Sequence, residues 1–268
     1  MQIGASTGAL YPTTTTDEAV DVLASLDFPV LEVILQTLGE YQPAFAGTLS
    51  RRARDAGVRL HSVHTYTQLH PLFDPYPRRR AEGMDAFRLA IEAAATLGAR
   101  CVVWHGLTVR DRQRGATLEA FADTLHRVAD EADRRGVVVC LENVAWCAVR
   151  DPESVTMARA REPRLGFTYD PFQAIDAEAS QPAILEAMAG RLLNVHVSDH
   201  APGGPRHLPP GEGVIDWRAL VAQLRAIGYG GPLVIEGACD GDLSRLVRAR
   251  ALLAGLVAGP PVDEAHTT

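Results

Sequence analysis

VVVCLENV (137–144), LGFTYD (165–170), LLNVHVSD (192–199) and PLVIEG (232–237) are short apolar runs that each end near one metal-ligating side chain. The four side chains are Glu142, Asp170, His196 and Glu236. Unbroken Val/Ile/Leu runs fit strands buried on both faces, as in a parallel sheet covered by helices. A buried charge is costly unless it is paired or bound to a cation. Four such residues at successive strand ends therefore point to one shared site.

The same grammar extends outward from these runs: a helix-period segment, a glycine, then a β-branched strand. Gly57 precedes VRLHSVH, Gly98 precedes ARCVVWH and Gly136 precedes VVVCLEN, while Gly228, Gly230 and Gly231 precede PLVIEG. Glycine just past a helix end is the expected left-handed cap. The spacing predicts strands over about 2–6, 30–35, 58–64, 100–105, 137–142, 165–170, 192–197 and 232–236, with helices between them. Thr15 and Glu18 form a capping box at the first helix. The stretch 118–135 reads as strongly helical, and Asp216 as an N-cap. Eight alternating units in 268 residues fit a (β/α)8 TIM barrel, a single α/β domain over 1–258. The remaining 259–268 reads as a frayed tail. An open doubly wound sheet would carry a Gly-rich phosphate loop after its first strand, and GASTG (4–8) matches that loop poorly.

Hydrophobic residues make up 47% of the chain and charged ones 22%, which is ordinary globular usage. The net charge of −7 disfavours a nucleic-acid partner, since phosphate binding leaves a basic footprint. No apolar run reaches membrane-span length, and MQIGAST lacks the features of a signal peptide. A cytoplasmic protein is expected, with homo-oligomerisation left open. The four cysteines form no CxxC pair, and Cys101 and Cys140 read as core residues.

Adjacent barrel strands lie roughly 4.7–4.9 Å apart, so Glu142, Asp170, His196 and Glu236 can converge on one divalent ion. Mn²⁺, Zn²⁺, Co²⁺ and Mg²⁺ all suit this donor set. His64 and His105 close the third and fourth strands. They read equally well as ligands of a second metal bridged by Glu142 and as neutral pocket histidines that bind substrate. His61 reads as a packed residue on the opposite strand face from His64. Trp104 and Trp146 flank the candidate ligand positions and read as pocket walls, Trp104 as a substrate contact, although most aromatics so placed are core. The connections 64–80 and 201–214 lie on the predicted active face, where long loops act as lids. Arg206 and His207 are thus expected to touch substrate, the arginine fork suiting an anionic group.

Glu in LEN, Asp in TYD, His in NVHVSD, then HLPPGEGVIDW and VIEG resemble the xylose-isomerase-like TIM-barrel superfamily. That superfamily includes sugar phosphate isomerases and epimerases, inosose dehydratase and the endonuclease IV group. The resemblance spans essentially the whole chain. Its ketose-epimerase branch implies one metal held by Glu142, Asp170, His196 and Glu236. Glu142 and Glu236 would also be the catalytic acid/base pair, acting on a small polyol or carbonyl substrate through an enediolate. Two positions depart from that branch. Gln173 stands where those enzymes place a substrate-contacting His, and Ala148 stands where they place a Glu. The endonuclease IV branch implies a metal at His64, His105 and Glu142 and a second at Glu142, Asp170, His196 and Glu236. Its third site lacks two ligands here, with Gln173 and Pro205-Arg206-His207 at the matching positions. A metal-dependent sugar or sugar-phosphate isomerase or epimerase is the leading expectation. A dinuclear phosphoester hydrolase and a dehydratase are the alternatives, and a non-catalytic binding protein is the outsider.

Overall fold

A computed structural model of the protein describes residues 1–259, and most of the expected 259–268 tail lies outside the described residues. The eight strands are β1 (Ile3–Ser6), β2 (Val30–Leu35), β3 (Arg59–Thr65), β4 (Cys101–Trp104), β5 (Val138–Glu142), β6 (Gly166–Tyr169), β7 (Leu192–Val197) and β8 (Leu233–Ile235). Each pairs in parallel with its sequence neighbours, and β8 returns to β1, closing the barrel. The outer layer contains α1 (Thr16–Ser25), α2 (Pro43–Asp55), α3 (Pro77–Leu97), α4 (Val109–Gln113) and α5 (Leu118–Asp133). It continues with α6 (Pro152–Arg161), α7 (Pro171–Asp176), α8 (Gln181–Met188), α9 (Trp217–Ala226) and α10 (Leu243–Ala258). The expected single α/β barrel is therefore the observed fold. Among the described residues no helix is long and apolar enough to cross a membrane.

Local signals account for the element boundaries. Thr15 N donates to Glu18 Oε2 at 3.4 Å, as the capping box requires. Ala219 N donates to Asp216 Oδ1 at 2.9 Å at the start of α9. Gly98 takes φ +66° directly after α3, a left-handed conformation that a side chain would strain.

Strand alternation divides the side chains into two populations. Val139 and Leu141, Phe167 and Tyr169, and Val195 and Val197 belong to the continuous apolar core under the helices. The intervening Glu142, Thr168, Asn194 and His196 occupy the other strand face, toward the barrel axis, and are buried. Trp104 follows the outward parity. Its indole is 1% exposed and packs 5.2 Å from the Phe87 ring and 6.2 Å from Phe73 and Phe121. That corrects the expectation of a substrate-contacting Trp104: it packs in the core under α3 and α5, while His105, one residue on, turns inward.

A second correction concerns His61. The β2–β3 register shifts between Leu31 and Glu32, so that Leu31 opposes Leu60 but Glu32 opposes Ser62. The extra residue on β3 is His61, and a bulge breaks the period-two rule. The His61 ring reaches the Leu193 carbonyl on β7 at 3.0 Å, across the barrel from β3. It is packed as expected, but it points into the barrel floor.

Candidate metal centre

The candidate ligands gather where β3 to β8 end. One donor atom from each of Glu142, Asp170, His196 and Glu236 lies within 4.8 Å of the others. The same holds for His64, His105 and Glu142, and for His64, His196 and Glu236. His196 presents Nδ1 to Glu142 Oε1 at 3.2 Å and to Glu236 Oε2 at 3.3 Å. On its other side, Glu142 Oε2 lies 3.3 Å from His64 Nε2 and 3.1 Å from His105 Nε2. The far nitrogens of these two rings are held in place. His64 Nδ1 is 3.0 Å from the Thr65 carbonyl, and His105 Nδ1 is 2.8 Å from Thr67 Oγ1. Each ring thus aims Nε2 at Glu142.

Asp170 shows how local sequence fixes a candidate ligand. The Tyr169-Asp170-Pro171 step ends β6 and starts α7, and Asp170 caps that helix by accepting from Gln173 N through Oδ1 at 3.0 Å. Asn143 then clasps the Asp170 backbone. Its Nδ2 donates to the Asp170 carbonyl, and its Oδ1 accepts from the Asp170 amide, both at 2.8 Å. With Oδ1 committed, Asp170 Oδ2 is left buried with no hydrogen-bond partner. An orphaned carboxylate oxygen beside two other carboxylates is unfavourable unless a proton or a cation joins it. The oxygen-rich donor set with one imidazole fits a divalent ion on that criterion.

The electrostatics agree. Burial, together with the neighbouring charges of Glu142 and Glu236, pushes the Asp170 carboxyl well above its ordinary range. Burial opposes ionisation of Glu142 too, yet His196 and His105 outweigh it and hold that carboxyl well below the usual range. Burial disfavours a charged His64, but Glu142 and Glu32 raise it to about 9. His196 is likewise raised well above its ordinary value, against burial, by Glu236, Glu32 and Glu142. Without metal the cluster therefore balances its charge with protons on Asp170, His64 and His196. An ion bound there would have to displace them, so Mn²⁺ binding is expected to release protons and to tighten as the pH rises from 6 to 9. The stabilisation that protonated His64 gives the metal-free fold is complete below about 6.5 and is lost as the pH rises through about 9. Metal should accordingly raise the melting temperature more at high pH than at low. Calorimetry in buffers of different ionisation enthalpy counts the protons. No release, with a pH-independent affinity, would contradict this charge balance.

The remaining expected residues divide between mouth and periphery. Trp146 is 45% exposed and meets the His105 ring edge-on at 5.2 Å. Gln173 Oε1 accepts from Ala145 N at 3.1 Å, tying α7 to the loop after β5. His207 lies 3.4 Å from Ser198 Oγ and accepts through its carbonyl from Ala238 N. Ser198 and Ala238 each lie two residues beyond a candidate ligand, so His207 sits above the β7 and β8 ends. Arg206 lies farther out, paired with Asp176 and stacked 4.9 Å over the Phe172 ring. The loop that carries them is rooted in Asp199, whose carboxylate accepts from His200 N, Gly211 N, Ile215 N and Trp217 Nε1, each at 3.0 Å. The sequence reading missed Glu32, Asn143, Asn194 and Asp199. Glu32 carried a signal, being the lone charge inside the apolar run VLEVIL.

Comparison with known proteins follows the same line. The L-ribulose-5-phosphate 3-epimerase of Salmonella paratyphi C is 31% identical over 195 residues, covering 68% of this chain and 66% of that protein. The aligned stretch thus spans just under two thirds of the relative's length. Among solved structures, a D-tagatose 3-epimerase-like protein superposes with a TM-score of 0.79 at 22% identity, over 96% of this chain and 97% of that one. D-Psicose 3-epimerase from Clostridium cellulolyticum H10, solved with D-tagatose, gives 0.77 at 17% identity, over 96% and 98%. At these identities the structural likeness shows the fold. A family model described as "Xylose isomerase-like TIM barrel" matches residues 20–256, nearly the whole described chain, and this protein belongs to that family.

Proposed function

We propose that the protein is a metal-dependent epimerase of a ketose or ketose phosphate, with Glu142 and Glu236 as its acid/base pair. The observation that carries this reading is the placement of those two carboxylates. They come from β5 and β8, three strands apart around the barrel, and both face His196 Nδ1 at 3.2 and 3.3 Å. Two carboxylates approaching one point from different directions can serve the two faces of a single substrate carbon. Likeness to an L-ribulose-5-phosphate 3-epimerase supports the same chemistry.

Glu142, Asp170, His196 and Glu236 would hold the ion. When bound, a divalent ion polarises a carbonyl and stabilises negative charge on its oxygen while a neighbouring C–H bond breaks. One glutamate accepts that proton, and the other delivers a proton to the opposite face, inverting the carbon with no net redox change. Glu236 is the more open of the two, its side chain 15% exposed against 3% for Glu142. His64 and His105 would hydrogen-bond substrate oxygens through Nε2. Gln173 and His207 line the mouth, and Arg206 is the cation available to an anionic far end of the substrate, in competition with Asp176. This chain contains no lysine, so imine chemistry with a lysine at the carbonyl is closed to it.

One observation favours a second reading. His64, His105 and Glu142 form their own candidate site, and a second ion there would suit a phosphoester hydrolase that uses a metal-activated water. The test is proton exchange. An epimerase incorporates solvent deuterium at the inverted carbon during turnover, as NMR would show for L-ribulose 5-phosphate, D-tagatose and D-psicose. Phosphate release without carbon-bound exchange, with two ions per chain, would replace this reading by the hydrolase.

A further inference from the structure

Glu32 lies in the middle of β2 and is completely buried, a full carboxylate in the barrel interior that none of the chemistry above uses. We propose that Glu32 is the positioning residue of the metal centre, orienting His196 so that Nδ1, and not Nε2, is the metal-binding nitrogen. This deepens the metal-centre reading and rests on it.

The geometry is complete on every side of the carboxylate. Both of its oxygens sit 3.1 Å from His196 Nε2, of which Oε2 has hydrogen-bond geometry and Oε1 has no other partner. Ser62 Oγ donates to Oε2 at 2.7 Å, and Asn194 Nδ2 donates to the same oxygen at 2.9 Å. Asn194 Nδ2 also lies 3.2 Å from Nε2, because both donors converge on one acceptor. The β2–β3 bulge makes the arrangement possible, since it brings Ser62 and not His61 opposite Glu32.

An acceptor-only carboxylate against Nε2 demands a proton on that nitrogen. The lone pair available to an ion is then on Nδ1, which faces Glu142 and Glu236. Turning the His196 ring over would put Cδ2 where Nδ1 now meets Glu142 and Glu236, and Cε1 where Nε2 now meets Glu32, so both contacts would be lost. A carboxylate behind a ligating histidine also makes the ring a stronger donor, and losing such a partner lowers metal affinity roughly 10–100-fold.

Glu32→Gln is the direct test, because it keeps the volume and one carbonyl oxygen. The new amide NH₂ must face at least one of the three donors that now share the carboxylate. Folded Glu32→Gln, checked by circular dichroism, is expected to bind Mn²⁺ roughly 10–100-fold more weakly than wild type in calorimetry. Wild-type protein loaded with cadmium-113 should show nitrogen-15 coupling from the metal to His196 Nδ1, with a proton on Nε2. Unchanged Mn²⁺ affinity in a folded variant, or coupling to Nε2, would overturn the proposal. Should the variant fail to fold, the wild-type coupling decides alone. Wild-type protein that binds neither Mn²⁺ nor Cd²⁺ would overturn the metal centre and this inference together. A metal-binding protein with no epimerase activity but the expected coupling would leave the positioning role standing.

Discussion

Glu236→Gln is expected to reduce turnover of the true substrate by roughly 10²–10⁴-fold, the range for loss of a general acid or base. That corresponds to about 3–5 kcal/mol of transition-state stabilisation. Glutamine preserves the side chain's size and one ligand oxygen, so the barrel and most of the metal site should persist. It cannot accept a proton at ordinary pH. The measurement is kcat at saturating Mn²⁺, with metal content checked alongside, because Glu236 is also a proposed ligand. Solvent exchange separates its two roles. If Glu236 is the base for one epimer, the variant loses deuterium wash-in from that epimer most severely. Exchange at the wild-type rate from both epimers would remove Glu236 from proton transfer and leave Glu142 to act alone.

The barrel was legible because its signals are local and repeated. Each strand is a short apolar run, each helix carries a cap or a glycine stop, and the count of eight follows from adding them. The clustering of the four candidate ligands was legible for a related reason. A charged or imidazole side chain at the end of a buried strand has few structural uses, and strand order alone brings its neighbours close. What stayed hidden depends on register. Glu32 and Ser62 meet because of one extra residue on β3, and no periodic pattern announces a bulge. The same bulge turned His61 inward against its strand parity. Trp104 shows the opposite failure: strict alternation places it under the helices, a consequence available from the sequence once His105 is taken as inward. Asn143 and Asp199 were missed because they mainly bind backbone groups, the Asp170 peptide for Asn143 and amides of its own following loop for Asp199, which leave no trace in composition. Arg206 lies on the expected loop, but its pairing with Asp176 is a contact between two connections.

Asp170→Ala should abolish the thermal stabilisation that Mn²⁺ gives the wild-type protein while changing the metal-free protein little. Two opposing effects act on the metal-free form. Alanine removes the α7 cap made to Gln173 N, a loss of about 1 kcal/mol. It also removes the buried oxygen that has no partner and whose ionisation is opposed by burial, Glu142 and Glu236, which relieves the site by a comparable order. The metal-bound form has no such compensation. At 100 to 1,000 times its Kd, an ion stabilises a fold by about 2.7–4.1 kcal/mol. For a chain of this length that amounts to a melting-temperature rise on the order of 5–15 °C. Asp170→Asn keeps an oxygen that can cap the helix but gives the ion a neutral ligand, so its metal-induced rise should fall between those of Asp170→Ala and wild type. This ordering is specific to a ligand. If Asp170 only capped α7, Asp170→Asn would match wild type, and both variants would retain the full Mn²⁺-induced shift.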